Sequence, residues 1–443
     1  MYFNIIQEEL YKLKNYKKSI VDVGLLWNAL TEAGEKKILD SLSKESDPLL
    51  IQADSGGLQL MRKGQSSDIK VKEAIYSRQL HYSNQAMSFD EMPIRIDESK
   101  DNSNVLDNEN KYFILDLLYQ SGYDSGLNLI EQCKSFNVGN GKAKIMAILQ
   151  GSTIEDYNEY ARGLFEPFLA LDEDTRSTYY NYIEGISFGM TGCNTYFKLL
   201  DLYCRFNRDL TNVPINLRNT VHFLGVGGST KISFLYALNE DFYGKDINIS
   251  FDSTSRTRSS TFGKLTKLTK KKNVIKQKTL SLGRNRSSLT DHHLEDMYNL
   301  FSDSYKILGI TDITDIIESS PWKSDGLRTS KQLLEEYGEL KGREIYINSI
   351  LIHDFFHWLK ETYIFIDILD EFSKKNFTLF NNNNKIKKAL LALDNINDYE
   401  DYMKYRNFFF LALDSKYINN INFLNNLDEF NNIKLDTMSL DEW

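Results

Sequence analysis

Seven short apolar runs, separated by longer amphipathic stretches, limit what this chain can become. They are SIVDV at 19–23, LLIQA at 49–53, AMSF at 86–89, KIMAIL at 144–149, IEGISF at 183–188, VHFLGV at 221–226 and DINISF at 246–251. Each is too short for a buried helix and rich in Ile, Val, Leu or Phe, so each reads as a strand. Stretches between them, such as YFILDLLYQSGYDSGLNLIEQC and YFKLLDLYCRF, read as helices. Strands alternating with helices form parallel βα units. Seven in a row with few hairpin signals favour a (β/α)8 barrel of the TIM type over a sandwich. A doubly wound open sheet satisfies the same pattern.

No linker rich in Pro, Gly or Ser cuts the first 370 residues, and the chain holds only five prolines. Residues 1–375 therefore read as one barrel domain carrying a basic insertion at about 256–345. Residues 376–443 are Asn-rich, yet Tyr402, Tyr405, Phe408, Phe409 and Phe410 recur in them. Disordered tails lack such rings, so this tail reads as a helical appendage. The three cysteines, Cys133, Cys193 and Cys204, are odd in number and widely spaced, which implies no disulfide framework and a reducing compartment. The N-terminal MYFNIIQEELYKLKNYKK lacks the apolar core of a signal peptide, and no apolar stretch is long enough to span a bilayer. The expectation is a cytoplasmic protein without membrane contact.

The polar residues after the strands carry the chemistry. LLIQA runs into Asp54-Ser55-Gly56-Gly57, AMSF into Asp90-Glu91, KIMAIL into Gln150-Gly151-Ser152 and IEGISF into Gly189-Met190. VHFL runs into Gly225-Val226-Gly227-Gly228, and INISF into Asp252-Ser253. In a barrel these are carboxyl ends of strands, gathered on the face where active sites are built. Three carboxylates and an amide meeting there suit a polar, planar, neutral ligand such as a purine. Taken alone, an Asp after a strand is more often a helix N-cap and a Gly pair more often a turn. The whole ordered series is harder to assign to capping.

Charge adds a second signal. The chain is acidic, at −9, but Arg256, Arg258, Lys264, Lys267, Lys270, Lys271, Lys272, Lys276, Lys278, Arg284 and Arg286 fall in one stretch without an Asp or Glu. A concentrated basic segment on an acidic body is either a footprint for a phosphate backbone or a solvated loop.

In this order the motifs resemble those of the tRNA-guanine transglycosylase superfamily. The matching segments are ADSGGLQ at 53–59, SFDEMP at 88–93, ILQGST at 148–153, EGISFGM at 184–190, FLGVGG at 223–228 and FDSTSRTR at 251–258. The resemblance implies a pentosyltransferase that exchanges a nucleic-acid base. It makes Asp252 the covalent nucleophile toward C1′ and Asp54 the general acid/base. Asp90 and Gln150 read the base edge, with a backbone N–H near Gly189 as donor to the base carbonyl. Ser55, Gly56 and Gly227 line the same pocket. The residue types fit, since a carboxylate can displace a base and hold the sugar covalently, as in retaining glycosidases.

The chain also departs from the family. Leu58 replaces the aromatic ring that stacks the base, and Met190 stands at a recognition-strand glycine. The family's zinc site is missing its thiolates, because no cysteine follows Cys204. His353 and His357, in IHDFFHW, resemble the family's His-containing helix but read as packing or capping residues without them. No metal or other cofactor is expected. The DNA-acting branch of the superfamily, found in phages and bacteria, inserts a 7-deazaguanine such as 7-cyano-7-deazaguanine. The resemblance implies that activity first, with DNA and the free base as partners. The alternatives are a tRNA-acting enzyme with a lost zinc site and a non-catalytic subunit.

Overall fold

The computed structural model describes residues 25–30, 50–57, 60, 68–96, 111–113, 116–189, 195–226, 231–232, 235, 238, 247–252, 264–271, 274–281, 335–336, 338 and 398–413. The contacts fall into two compact units. One comprises Asp22–Val226 and Phe242–Asp252; the other comprises Met1–Val21, Gly227–Asp241 and Ser253–Trp443.

The first unit is α/β. In chain order it contains β1 (Leu25–Asn28), β2 (Ile51–Asp54), α1 (Ile69–Tyr82), β3 (Gln85–Met87), β4 (Ile94–Ile96), β5 (Lys111–Phe113), α2 (Asp116–Val138) and β6 (Lys144–Leu149). Then come α3 (Ile154–Leu169), α4 (Glu173–Tyr180), β7 (Ile183–Phe188), α5 (Tyr196–Asp209), a 3-10 turn (Ile215–Asn219), β8 (Thr220–Phe223) and β9 (Asn248–Phe251). Seven strands form one sheet in the order β1-β2-β3-β6-β7-β8-β9, every pairing parallel. β4 and β5 form a separate antiparallel hairpin that the sequence pattern does not announce.

That strand order decides between the two expected architectures. A doubly wound sheet reverses its order at a switch point. Here each strand lies beside its predecessor. Right-handed crossovers therefore all fall on one face, and the other face can be covered only by the sheet curling on itself. The sheet does curl, as a partial barrel; among the described residues no pairing joins β9 to β1. The run at 19–23 lies outside the described residues, and the first strand described is Leu25–Asn28.

Side-chain alternation gives the sheet two different faces. Ile51, Ala53, Ala86, Ile145, Ala147, Leu149, Ile186, Phe188, Val221 and Phe223 share the helix-covered face and are buried. Tyr157 of α3 meets Phe188 edge-on at 5.0 Å, and Tyr203 of α5 lies 6.2 Å from Phe223. The inner face carries Met87, Met146 and Ile148 as a small apolar plug, packed by Leu224. Around it stand Gln52, Gln85, Ser187 and His222, also buried. Gln85 accepts from the Gln52 amide at 2.5 Å and donates to Glu184 at 2.8 Å. Burial on both faces is why the strands read as continuous apolar runs.

Buried amides fix the strand ends that carry the site. Gln79 of α1 donates to the carbonyls of Ala53 (3.1 Å) and Met87 (2.9 Å) and accepts from Gln132 of α2 at 2.8 Å. The start of α3 closes a capping box: Thr153 Oγ1 accepts from the Asp156 N–H, and Asp156 Oδ2 accepts from the Thr153 N–H. This pins the loop just after Gln150.

In the second unit, β10 (Lys264–Lys271) and β11 (Val274–Ser281) pair antiparallel as a two-stranded ribbon. A helix α6 (Tyr399–Leu413) falls within the stretch expected to be a helical appendage. Tyr402 and Phe409 are buried there and stack at 5.8 Å. Among the described residues, no helix is long and apolar enough to cross a membrane.

Candidate active site

Register places the expected residues on one face. Asn28 pairs with Asp54, Met87 with Met146, Ile148 with Ser187, Ser187 with His222, and His222 with Ser250. Residues two apart on a strand share a face, as do registered neighbours on adjacent strands. Asp54, Gln150, Gly189 and Asp252 therefore all belong to the inner face, at the carboxyl ends of β2, β6, β7 and β9. Asp90, past β3, joins them through Gln150, whose Nε2 donates to Asp90 Oδ2 at 2.5 Å.

Asp54 is held by its own turn. Asn28 Nδ2 donates to Asp54 Oδ2 at 3.5 Å, and the Gly56 and Ser55 N–H groups also bond the carboxylate. Gly56 adopts φ +74°, and a Cβ there would stand 2.7 Å from the Leu30 Cβ and 2.8 Å from Asn28 Oδ1. Only glycine fits that turn without displacing β1. The buried Ser55 turns inward, its Oγ accepting from the Gly57 N–H at 3.3 Å. Burial pushes the Asp54 carboxyl above the ordinary carboxylate range. Its turn N–H groups oppose the shift, and the charge of Asp252 adds to it.

Asp90 is pushed up to about 7, first by burial, against the pull of the Gln150 amide and with a further push from Asp54. The segment holding it is clamped from behind: Tyr160 donates to the Glu91 carbonyl at 2.9 Å and Ser125 Oγ accepts from the Glu91 N–H at 2.7 Å. The Glu91 side chain faces Lys72 and Asn128 on α1 and α2. The second acid of the Asp90-Glu91 pair thus binds helices.

Gln150 is buried, and its Oε1 has no hydrogen-bond partner among the described residues. Gly189 lies against it: a Cβ at Gly189 would come within 2.5 Å of that oxygen. Gly189 donates its own N–H to the Leu149 carbonyl at 2.9 Å and accepts from Tyr157 OH at 2.7 Å. What Gly189 offers the site is its bare Cα, which leaves room for the Gln150 amide.

Asp252 carries both its described hydrogen bonds on one oxygen. Oδ1 accepts from the Gly225 N–H at 2.9 Å and lies 3.3 Å from His222 Nε2. His222 was not among the residues singled out from sequence. A histidine inside an apolar strand reads as core, and only the register with Ser187 and Ser250 sets it beside Asp252.

A scan against protein-family models finds no match, and a search of curated proteins finds no match either. The reading of the site rests on its residues and their geometry.

Leu58, Met190, Gly227, Arg256, Arg258, Lys272, Arg284, Arg286, His353 and His357 lie outside the described residues. For the other lysines the ribbon register gives the placement. Lys267 pairs directly with Lys278, and Lys276 with Thr269, so Lys267, Lys271, Lys276 and Lys278 occupy one face. Lys264 and Lys270 occupy the other.

Proposed function

We propose that the protein is a guanine transglycosylase, exchanging guanine in DNA for a 7-deazaguanine base, and that its curled sheet is part of a (β/α)8 barrel. The observation that carries this is the gathering of Asp54, Asp90, Gln150 and Asp252 on one sheet face, with a buried amide oxygen among them that has no partner among the described residues. A buried acceptor without a partner costs about 1–3 kcal/mol, so a ligand that brings it an N–H is favoured. Gln150 Nε2 is committed to Asp90, which leaves Gln150 Oε1 and the Asp90 carboxylate to accept. Guanine and its 7-deaza analogues carry an amino group and a ring N–H on one edge.

The chemistry then balances. Asp252 attacks C1′ of the target nucleotide as the C1′–N9 bond breaks, and the bonding pair leaves with the base. Asp54, whose raised pKa lets it hold a proton, donates to the departing base. The incoming base returns a proton to Asp54 and displaces Asp252 from C1′, with net retention. The target nucleotide must leave the helical stack to reach such a site. The lysine ribbon supplies phosphate contacts.

The decisive test incubates the protein with radiolabelled guanine and duplex DNA, single-stranded DNA or tRNA. Label entering DNA supports the reading. Label entering tRNA alone transfers the chemistry to RNA, and no label in any of them refutes base exchange.

Base binding should depend on pH through Asp90. Its pKa is raised on folding, so the folded chain holds this proton more tightly than the unfolded one. That stabilisation is complete below about pH 4 and lost as pH rises through about 7. A base that donates to Asp90 needs the carboxylate. Affinity for free guanine should rise about tenfold per pH unit below 7 and level off above it. Asp90→Asn should bind weakly at every pH with a flat profile. Calorimetric titration on both sides of neutrality checks this; a rising profile that persists in Asp90→Asn assigns it to another group.

A further inference from the structure

We propose that His222 is the positioning residue of the nucleophile: its Nε2–H, with the Gly225 N–H, holds Asp252 Oδ1, so that Oδ2 is the oxygen presented to C1′. This rests on reading Asp252 as the nucleophile. His222 is fully buried on β8, between Ser187 on β7 and Ser250 on β9. Its Nε2 lies 3.3 Å from Asp252 Oδ1 and its Nδ1 lies 2.8 Å from Ser250 Oγ.

A carboxylate oxygen only accepts hydrogen bonds, so the ring nitrogen facing it must carry a proton. Ser250 can donate its hydroxyl hydrogen to Nδ1, which leaves Nε2 as the nitrogen that carries the proton facing Asp252. The line Ser250 O–H to His222 Nδ1, then His222 Nε2–H to Asp252 Oδ1, satisfies both ring nitrogens.

Two donors on one oxygen stop the Asp252 carboxylate from turning about its Cβ–Cγ bond. The aim of Oδ2 is then set before substrate arrives. When Oδ2 bonds to C1′, Oδ1 becomes the ester carbonyl and keeps both donors. When the incoming base displaces the ester, the same donors receive the returning carboxylate charge. His222 thus acts through Asp252 in both half-reactions.

The test uses the full-length protein and a guanine-containing duplex, with denaturing gels to trap the covalent protein–DNA adduct in single turnover. His222→Leu removes both hydrogen bonds. Adduct formation should slow about ten- to a hundredfold, the size of effect expected from a misaimed reacting group, with KM for DNA unchanged. His222→Gln, whose amide N–H reaches the place of Nε2, should restore the rate to within a few-fold of wild type. Ser250→Ala, which releases the tautomer, should fall between them and carries the test if His222→Leu does not fold. Wild-type adduct rates in His222→Leu overturn the proposal, as does a His222→Gln variant no faster than His222→Leu. If Asp252→Asn still forms the adduct, the nucleophile reading itself fails, and the proposal fails with it in a recognisably different way.

Discussion

Asp252→Asn should abolish base exchange, with a loss on the order of 10⁴-fold or more, as for other removed covalent nucleophiles. The substitution is close to isosteric, and the site explains why the fold should tolerate it. The Asn Oδ1 can still accept from the Gly225 N–H and from His222 Nε2, the two hydrogen bonds made by Asp252. What changes is the other atom. An amide nitrogen replaces Oδ2, and its lone pair is delocalised, so it does not attack C1′. Removing the negative charge also removes one of the influences that raise the Asp54 pKa. Nucleic-acid binding and thermal stability should therefore stay near wild type while the trapped adduct disappears. Exchange at the wild-type rate would remove Asp252 from the mechanism. A variant that loses DNA binding and melts early would say instead that Asp252 serves the fold.

The parts of this molecule that were legible in sequence share a physical cause. Strands buried on both faces read as apolar runs, so KIMAIL and IEGISF coincide with β6 and β7. The polar residue just past such a run stands at a strand end, which located Asp54, Asp90, Gln150 and Asp252. His222 was illegible because it sits within a strand. Its role depends on which residue of β9 lies beside it, and register is a long-range property. Gly189 was half legible. A backbone N–H near Gly189 is expected to face the ligand; the N–H of Gly189 itself is engaged by the Leu149 carbonyl, Met190 lies outside the described residues, and the lack of a side chain at Gly189 is what Gln150 uses. The ribbon escaped notice because lysine is depleted in strands and its abundance there resembles a solvated loop. The Thr, Leu, Val and Ile between the lysines carry the strand propensity.

The ribbon leads to the second large effect. Neutralising Lys267, Lys276 and Lys278 together should weaken DNA binding across all sequences and flatten its salt dependence by roughly one unit per lysine, about three in all. Neutralising Lys264 and Lys270, on the opposite face, should do much less. The argument comes from the pairing. Lys267 sits directly across from Lys278, and Lys276 and Lys271 follow on the same face. Like charges at directly opposed register positions disfavour a ribbon, a cost that a bound polyanion would offset. A two-stranded ribbon is also narrow enough to lie along a duplex groove. Phosphates contacted by lysines release counterions, and the slope of affinity against salt counts those contacts. The same triple variant should be at least as stable to heat as wild type, because the opposed charges are gone. Gained stability with lost binding is the signature of a residue set kept for its ligand. Exchange at saturating DNA should survive, since on the proposed reading these lysines hold the strand and do no chemistry. Equal losses from both faces would reduce the ribbon to a general electrostatic attractor. An unchanged affinity and salt slope would remove it from the nucleic-acid interface.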